Sequence, residues 1–332
     1  MKNETMAVKV SVIIPVYGVE AFIARCADSL LAQTLGDVEF IFVDDATPDR
    51  SLELLSAAVD RYPSRREAVR ILRHPENRGL PAARNTGLAA ARGEYVFHCD
   101  SDDFVEPDML ERLYAAAQEK DADIVWCDWY LSFRQSERYM KQPDYDNPTD
   151  ALKAMLAGQM KFNVWNKLVR RRLYADHGID FPAGHSMGED MTMMLLFAVA
   201  ARVAYVPGAF YHYVKLNTGA FSQHYTREHM AAVAYNISRV ASALEARYGH
   251  ALDLEIACMK LEAKFPFLMS ADRADYRVWQ EYYCEANAYI RANRYISARR
   301  RWVQRFAAKG WWGLVRLHYW LVDRLVYGLI YK

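Results

Sequence analysis

Apolar runs that alternate with helical stretches constrain this chain more than any other feature. Residues 8–16 carry Val10, Val12, Ile13 and Ile14 and end at Pro15, the pattern of a strand buried on both faces. Residues 20–33 repeat Phe22, Cys26 and Leu30 at four-residue spacing, which gives a helix one apolar face. A second strand over 38–43, a helix over 52–62, a short strand at Ile71-Leu72, a small-residue helix over 82–91 and a strand at Tyr95-Val96-Phe97 continue the alternation. Strands and helices at this spacing imply crossover connections and a doubly wound, mostly parallel α/β sheet whose strand carboxyl ends gather on one edge.

Beyond this, residues 107–120 read as a helix, 124–130 as a strand, and 135–150 as a hairpin or long loop. A short helix over 150–157, an extended segment over 163–167, a helix over 170–177 and a Met- and Leu-rich helix opened by Glu189-Asp190 follow. Residues 203–213, broken at Pro207-Gly208, read as a β-hairpin. From Glu228 onward every pattern is helical, so the expected domains are 1–225 and a helical C-terminal extension over 226–332.

Three polar turns share the expected edge: Pro15-Val16-Tyr17, Asp44-Asp45, and the run Asp100, Ser101, Asp102 and Asp103. Alternate carboxylates such as Asp100 and Asp102 can converge on one hard cation, although such a run also suits a turn or a helix cap. Asp44 and Asp45 either fix their turn or accept from a nucleotide base N–H or a ribose hydroxyl. No glycine-rich phosphate loop of the dinucleotide or P-loop type is present, so a nucleotide diphosphate would depend on a divalent cation and on side chains such as Arg84 or Lys167.

The composition is that of a globular chain: 332 residues, 52% hydrophobic, 25% charged. The formal net charge of +1 hides an asymmetry, because residues 291–332 hold ten Lys or Arg against the single acidic Asp323. The same tail carries Trp302, Trp311, Trp312 and Trp320, with Arg316, Asp323 and Tyr327 on one helical face, so it suits either an anionic membrane surface or packing on the catalytic domain. No nucleic-acid recognition module appears. Cys26, Cys99, Cys127, Cys258 and Cys284 lack metal-site or disulfide-framework spacing and read as reduced thiols. Residues 1–9 are polar and run straight into a strand, unlike a secretory signal, and no window reaches 18 apolar residues; the expected location is the cytoplasm, peripheral to the membrane at most.

Taken in order, SVIIPVYGVEAFIARCADSLLAQT, EFIFVDDATPDRS, NRGLPAARNTGLAAARGEYVFHCDSDDFVEP and the GED at 188–190 resemble glycosyltransferase family 2, the inverting GT-A group, of the bacterial cell-surface polysaccharide type. The resemblance covers residues 8 to about 215. It implies a nucleotide-sugar donor, UDP-linked, with Asp45 near the base, Asp100 near the ribose and metal, Asp102 on a Mg²⁺ or Mn²⁺, and Asp190 as general base with Glu189 beside it. It further implies His212 as an extra metal ligand, and a saccharide or lipid-linked saccharide as acceptor. The chemistry is coherent: the acceptor hydroxyl must lose its proton as the anomeric carbon becomes oxocarbenium-like, while a separate acidic set serves the departing diphosphate. Ala46 stands where the family commonly has glycine, and His98-Cys99 replaces an apolar pair. The QxxRW signature of processive synthases is missed at Ala298. A catalytically idle nucleotide-sugar or membrane-surface binding protein is the alternative.

Overall fold

The computed structural model describes residues 7–216, 227–322 and 324. The first half is built as its alternation requires: β1 Val10–Val16, α1 Ile23–Leu31, β2 Val38–Asp44, α2 Ser51–Asp60, β3 Val69–Arg73, α3 Leu80–Ala90, β4 Tyr95–His98, β5 Phe104–Val105 and α4 Met109–Glu119. Then come β6 Ile124–Ser132, β7 Glu137–Met140, α5 Pro148–Leu156, β8 Lys167–Arg170, α6 Arg172–His177, α7 Thr192–Val199 and β9 Val203–Val214. The remainder is helical: α8 Arg227–Tyr248, α9 Asp253–Lys264, α10 Arg273–Glu281, α11 Ala298–Ala308 and α12 Trp312–Val322.

The strands form one sheet in the order β3-β2-β1-β4-β8-β6-β9-β5, with β7 added to β6. Ladders β3-β2-β1-β4 and β6-β9 are parallel, and the pairs made by β8, β5 and β7 are antiparallel. Every residue of β1, β2 and β4 is buried, so both faces of the central sheet are covered, which is why these strands read as continuous apolar runs rather than alternating ones. On one face Val10, Val12, Ile14, Phe40, Phe42, Tyr95 and Phe97 join the core cluster with Ile23, Cys26 and Leu30 of α1 and Leu55 of α2. On the other, α3 lies so close that a Cβ at Gly87 would sit 2.3 Å from Ile13 Cγ2, the physical demand behind the small-residue run.

Two expectations change. Residues 203–213 are not a hairpin: β9 is one strand that stays paired with β6 on both sides of a register shift at Asp128, and Pro207-Gly208 forms the irregularity rather than a reversal. The segment around 163–167 instead turns and then enters the sheet as β8, whose antiparallel insertion between β4 and β6 interrupts the parallel order. The chain divides into two compact units, residues 1–151 with 162–236, and residues 152–161 with 237–332. The domain boundary expected at 225/226 falls in 217–226, outside the described residues. All five cysteines are free, four of them buried. Among the described residues no helix is long and apolar enough to cross a membrane.

The amino ends of the strands carry a buried polar node. Glu39 accepts from Ser11 Oγ at 2.6 Å, from the Arg92 N–H at 2.7 Å and from its guanidinium at 2.9 and 3.0 Å. Burial pushes this carboxyl up, but those bonds outweigh it and hold the group below its ordinary 4.5. Because the folded value is depressed, the stabilisation is complete above the unfolded value and is lost as pH falls through the folded one. Glu39→Gln should cost about 2 kcal/mol at neutral pH and progressively less as the pH falls below the ordinary carboxylate value, read from urea melts across that range; a loss that does not shrink on acidification would contradict this account.

Candidate active site

The strand carboxyl ends deliver three loops to one edge, and each is fastened to the next. Asp49, missed as a site residue, accepts from Thr47 Oγ1 at 2.8 Å, Ser51 Oγ at 2.6 Å and the Glu20 N–H at 2.9 Å, while Gly18 N–H donates to Thr47 Oγ1 at 2.9 Å. Burial raises the Asp49 carboxyl, yet these donors bring it down to about 2, so it stays ionised and ties the loop after β1 to the loop after β2. Ala46 sits at φ 56°, the left-handed conformation that favours glycine.

The paired aspartates fix their turns. Asp44 Oδ1 accepts from the Thr47 N–H at 2.8 Å. Asp45 accepts from His74 Nδ1 at 2.6 Å and from the Arg78 and Gly79 N–H groups at 2.9 and 2.8 Å, and His74 Nε2 meets Thr86 Oγ1 at 2.8 Å. Asp45 therefore clamps the loop that leads into α3, with only 4% of its side chain exposed. Pro15 is likewise buried, in register with Val43, whereas Tyr17 just beyond the strand end is half exposed.

The acidic loop after β4 splits by role. Asp103 turns inward and is fully buried, accepting from Tyr211 Oη at 2.7 Å and from the Val214 N–H at 2.7 Å, so it anchors the loop to β9. Asp100 keeps 24% of its side chain exposed and takes Arg84 Nη2 on Oδ1 at 2.9 Å. Asp102 is partly exposed.

Arg84 and Lys167, both expected at a diphosphate, are about 1% exposed and are held by polar and acidic groups of the protein itself. Arg84 lies 4.0 Å from Glu189 Oε1 as well as against Asp100, and the charges of Asp100, Asp190 and Glu189 outweigh burial and raise its pKa. Lys167 Nζ donates to Asn163 O at 2.6 Å and Asn166 Oδ1 at 2.9 Å; burial pushes it down to about 7 while Asp190 pulls the other way.

Glu189 and Asp190 open a single 3₁₀ turn, Glu189–Met191, ahead of α7. The approach to them is held by Asn236, whose Nδ2 donates to His185 O and Met187 O, and by Tyr235 stacked on His185 at 3.7 Å. Burial pushes both carboxyls up, Glu189 further because of Asp190, and Arg84 opposes the rise in each. Asp190 Oδ1 is buried and has no hydrogen-bond partner among the described residues. Behind the pair, His98 and Tyr174 are buried near Arg84, and burial lowers the imidazole and raises the phenol.

The geometry thus joins Arg84, Asp100, Glu189, Asp190 and Lys167, five residues that span more than a hundred positions of the chain. His212 is not in that set. It is stacked between Phe104 at 4.1 Å and Tyr130 at 5.0 Å, and its nitrogens meet Glu137 Oε1 at 2.8 Å and Glu106 Oε1 at 2.9 Å. With both nitrogens committed, the expected metal-ligand role does not fit it. For a divalent cation the remaining donors are the oxygens of Asp100 and Asp102; no group of three or more His, Cys, Asp or Glu among the described residues is arranged to hold a metal ion. Two hard carboxylates nonetheless suit Mg²⁺ or Mn²⁺, which take one or two carboxylates and complete their shell from substrate phosphates and water.

The glycosyl transferase family 2 model matches residues 11–182. The chain belongs to this family. It is 34% identical over 243 residues to the uncharacterized glycosyltransferase EpsJ of Bacillus subtilis strain 168, covering 68% of this chain and 69% of that one. It is 31% identical over 222 residues to the glycosyltransferase GlyG of Streptococcus pneumoniae serotype 4, covering 63% and 71%. In structure it is similar to S. aureus TarS 1–349 in complex with UDP-GlcNAc, with a TM-score of 0.74 at 19% identity over 94% of this chain and 91% of that one. The family-2 fold is the GT-A arrangement, a mixed α/β sheet followed by C-terminal helices. In this family-2 chain, Asp49, His74 and Tyr211 escaped sequence reasoning because each acts through a partner remote in sequence; the only signal was their place beside the paired aspartates or in an aromatic strand.

Proposed function

We propose that this chain is an inverting glycosyltransferase that moves a sugar from a UDP-sugar to a hydroxyl of a saccharide or lipid-linked saccharide, for cell-surface polysaccharide synthesis at the cytoplasmic face of the membrane. The observation that carries the reading is the Asp190 carboxylate, raised by burial and with one oxygen unpartnered, set beside Glu189, Arg84 and Lys167. The solved complex of TarS with UDP-GlcNAc supports the donor class.

Asp190 takes the proton of the acceptor hydroxyl as that oxygen bonds to the anomeric carbon, and the bond from carbon to the diphosphate oxygen breaks with its electron pair leaving on the nucleotide. Raised basicity matches that task, since an ordinary exposed aspartate is a poor base near pH 7. Arg84 neutralises the acidic cluster and holds Asp100 in place; Tyr17, exposed at the rim, is the surface against which a base can stack. Asp100 and Asp102 are the residues that would hold a Mg²⁺ or Mn²⁺ ion, which would supply positive charge for the diphosphate. The acidic loop keeps its place through Asp103 and Tyr211.

A panel of nucleotide sugars, with Mn²⁺, with Mg²⁺ and with EDTA, tests this directly. UDP-sugar hydrolysis or transfer that EDTA abolishes is the expected result. Donor binding without turnover under every condition would replace the reading with that of a binding protein.

A further inference from the structure

Half of the large hydrophobic side chains that are exposed among the described residues fall within residues 302–321: Trp302, Trp311, Leu314, Leu317, Trp320 and Leu321, each 41–51% exposed. On α12 they have an unusual disposition. The helix buries Val315 and stacks Trp312 on Tyr276 at 5.3 Å, while the opposite arc turns Leu314, Leu317, Trp320 and Leu321 outward together with Arg316. An ordinary surface helix does the reverse and keeps its outward arc polar. Rings continue the patch onto α11, from Trp302 to Phe306 at 5.9 Å and from Phe306 to Trp311 at 5.8 Å.

Charge identifies the partner. Residues 298–322 contain no acidic side chain. Each exposed tryptophan has a cation over its ring: Arg305 on Trp302 at 4.4 Å, Lys309 on Trp311 at 4.6 Å and Arg324 on Trp320 at 5.2 Å. A second copy of the chain would set these cations against themselves. Single-stranded nucleic acid has use for the indoles and cations but none for the leucines between them. An anionic bilayer matches all three, since indoles settle at the headgroup level, leucines enter the acyl boundary and cations meet lipid phosphates. The eleven described residues of α12 span roughly 16 Å, against about 30 Å of hydrocarbon, and among the described residues no helix is long and apolar enough to cross a membrane, so this arc suits a helix lying on the bilayer.

We propose that the outward arc of α12, with Trp302 beside it, is the surface by which the protein docks on an anionic lipid bilayer. This deepens the membrane location given above and depends on no part of the catalytic assignment. The test is cosedimentation of the full chain with vesicles of phosphatidylcholine alone or containing about a third phosphatidylglycerol. Binding should need the anionic lipid and weaken with added salt. Leu317→Glu with Trp320→Glu should lower the partition coefficient at least about tenfold, whereas Phe133→Glu, an equally exposed aromatic elsewhere, should leave it unchanged. UDP-sugar hydrolysis in solution should be the same in all three proteins, so loss of docking and loss of the transferase reading are told apart. Binding that ignores the anionic lipid, or a double variant that partitions like the wild type, overturns the proposal. So does a dimer abolished by the double variant in a protein that never binds vesicles, which would assign the face to a second copy.

Discussion

Asp190→Asn should lower kcat for transfer by about 10²–10⁴-fold while changing donor affinity little, because it removes the proton acceptor and keeps shape. The pH profile should separate this role from a structural one. Burial raises the Asp190 and Glu189 carboxyls, so in the wild type the active, deprotonated form is lost on acidification at a higher pH than for an exposed aspartate. The rate should therefore climb with pH through an apparent pKa above the ordinary carboxylate range, and the variant's residual rate should be flat over that interval. The wild-type titration belongs to the coupled pair, and Glu189 is raised further than Asp190, so Glu189→Gln should leave the acid limb as the single titration of Asp190. A variant that keeps the wild-type rate, or keeps the same acid limb, would remove Asp190 from the base position.

The second large effect is expected at Arg84. Its guanidinium is about 1% exposed, bonded to Asp100 at 2.9 Å and 4.0 Å from Glu189, with Nε and Nη1 lacking partners among the described residues. Removing one member of a buried ion group leaves uncompensated charge behind, which costs about 3–5 kcal/mol. Arg84→Met should accordingly lower Tm by roughly 10 °C in a unit of this size. The same change should push Asp190 and Glu189 further up, moving the acid limb of whatever activity remains toward alkaline pH. Arg84→Lys, which restores charge without the fork, should recover part of the stability and return the limb toward its wild-type position. A melting temperature within about 2 °C of the wild type for Arg84→Met would show that the acids are neutralised by other means.

Much of this was legible in the sequence because its causes are local. The apolar runs at β1, β2 and β4 have to be strands buried on both faces, and helices must separate parallel strands, so the edge that gathers Tyr17, Asp44-Asp45 and Asp100 follows from chain order alone. Gly87 and its small neighbours reported, in one dimension, how closely α3 lies on β1. The antiparallel entry of β8 was not legible, since four residues carry too short a pattern to fix direction or place in a sheet.

Side-chain roles were set by tertiary structure. A sequence shows that Arg84 and Lys167 are cations but not that folding drives both inside, where an unpaired charge is so costly that each must face a carboxylate or a set of polar acceptors. His212 could be named a ligand until Glu106 and Glu137 were seen at its two nitrogens. Asp45, expected near a base, also accepts from His74 and from the Arg78 and Gly79 N–H groups, partners that no local pattern announces. By itself the sequence determined the order of strands and helices and which acidic turns share an edge, because periodicity and chain connectivity are one-dimensional facts. Only the fold decided which of those groups are ionised, neutralised or spent on the scaffold, because burial and charge pairing depend on distances between residues that the chain keeps far apart.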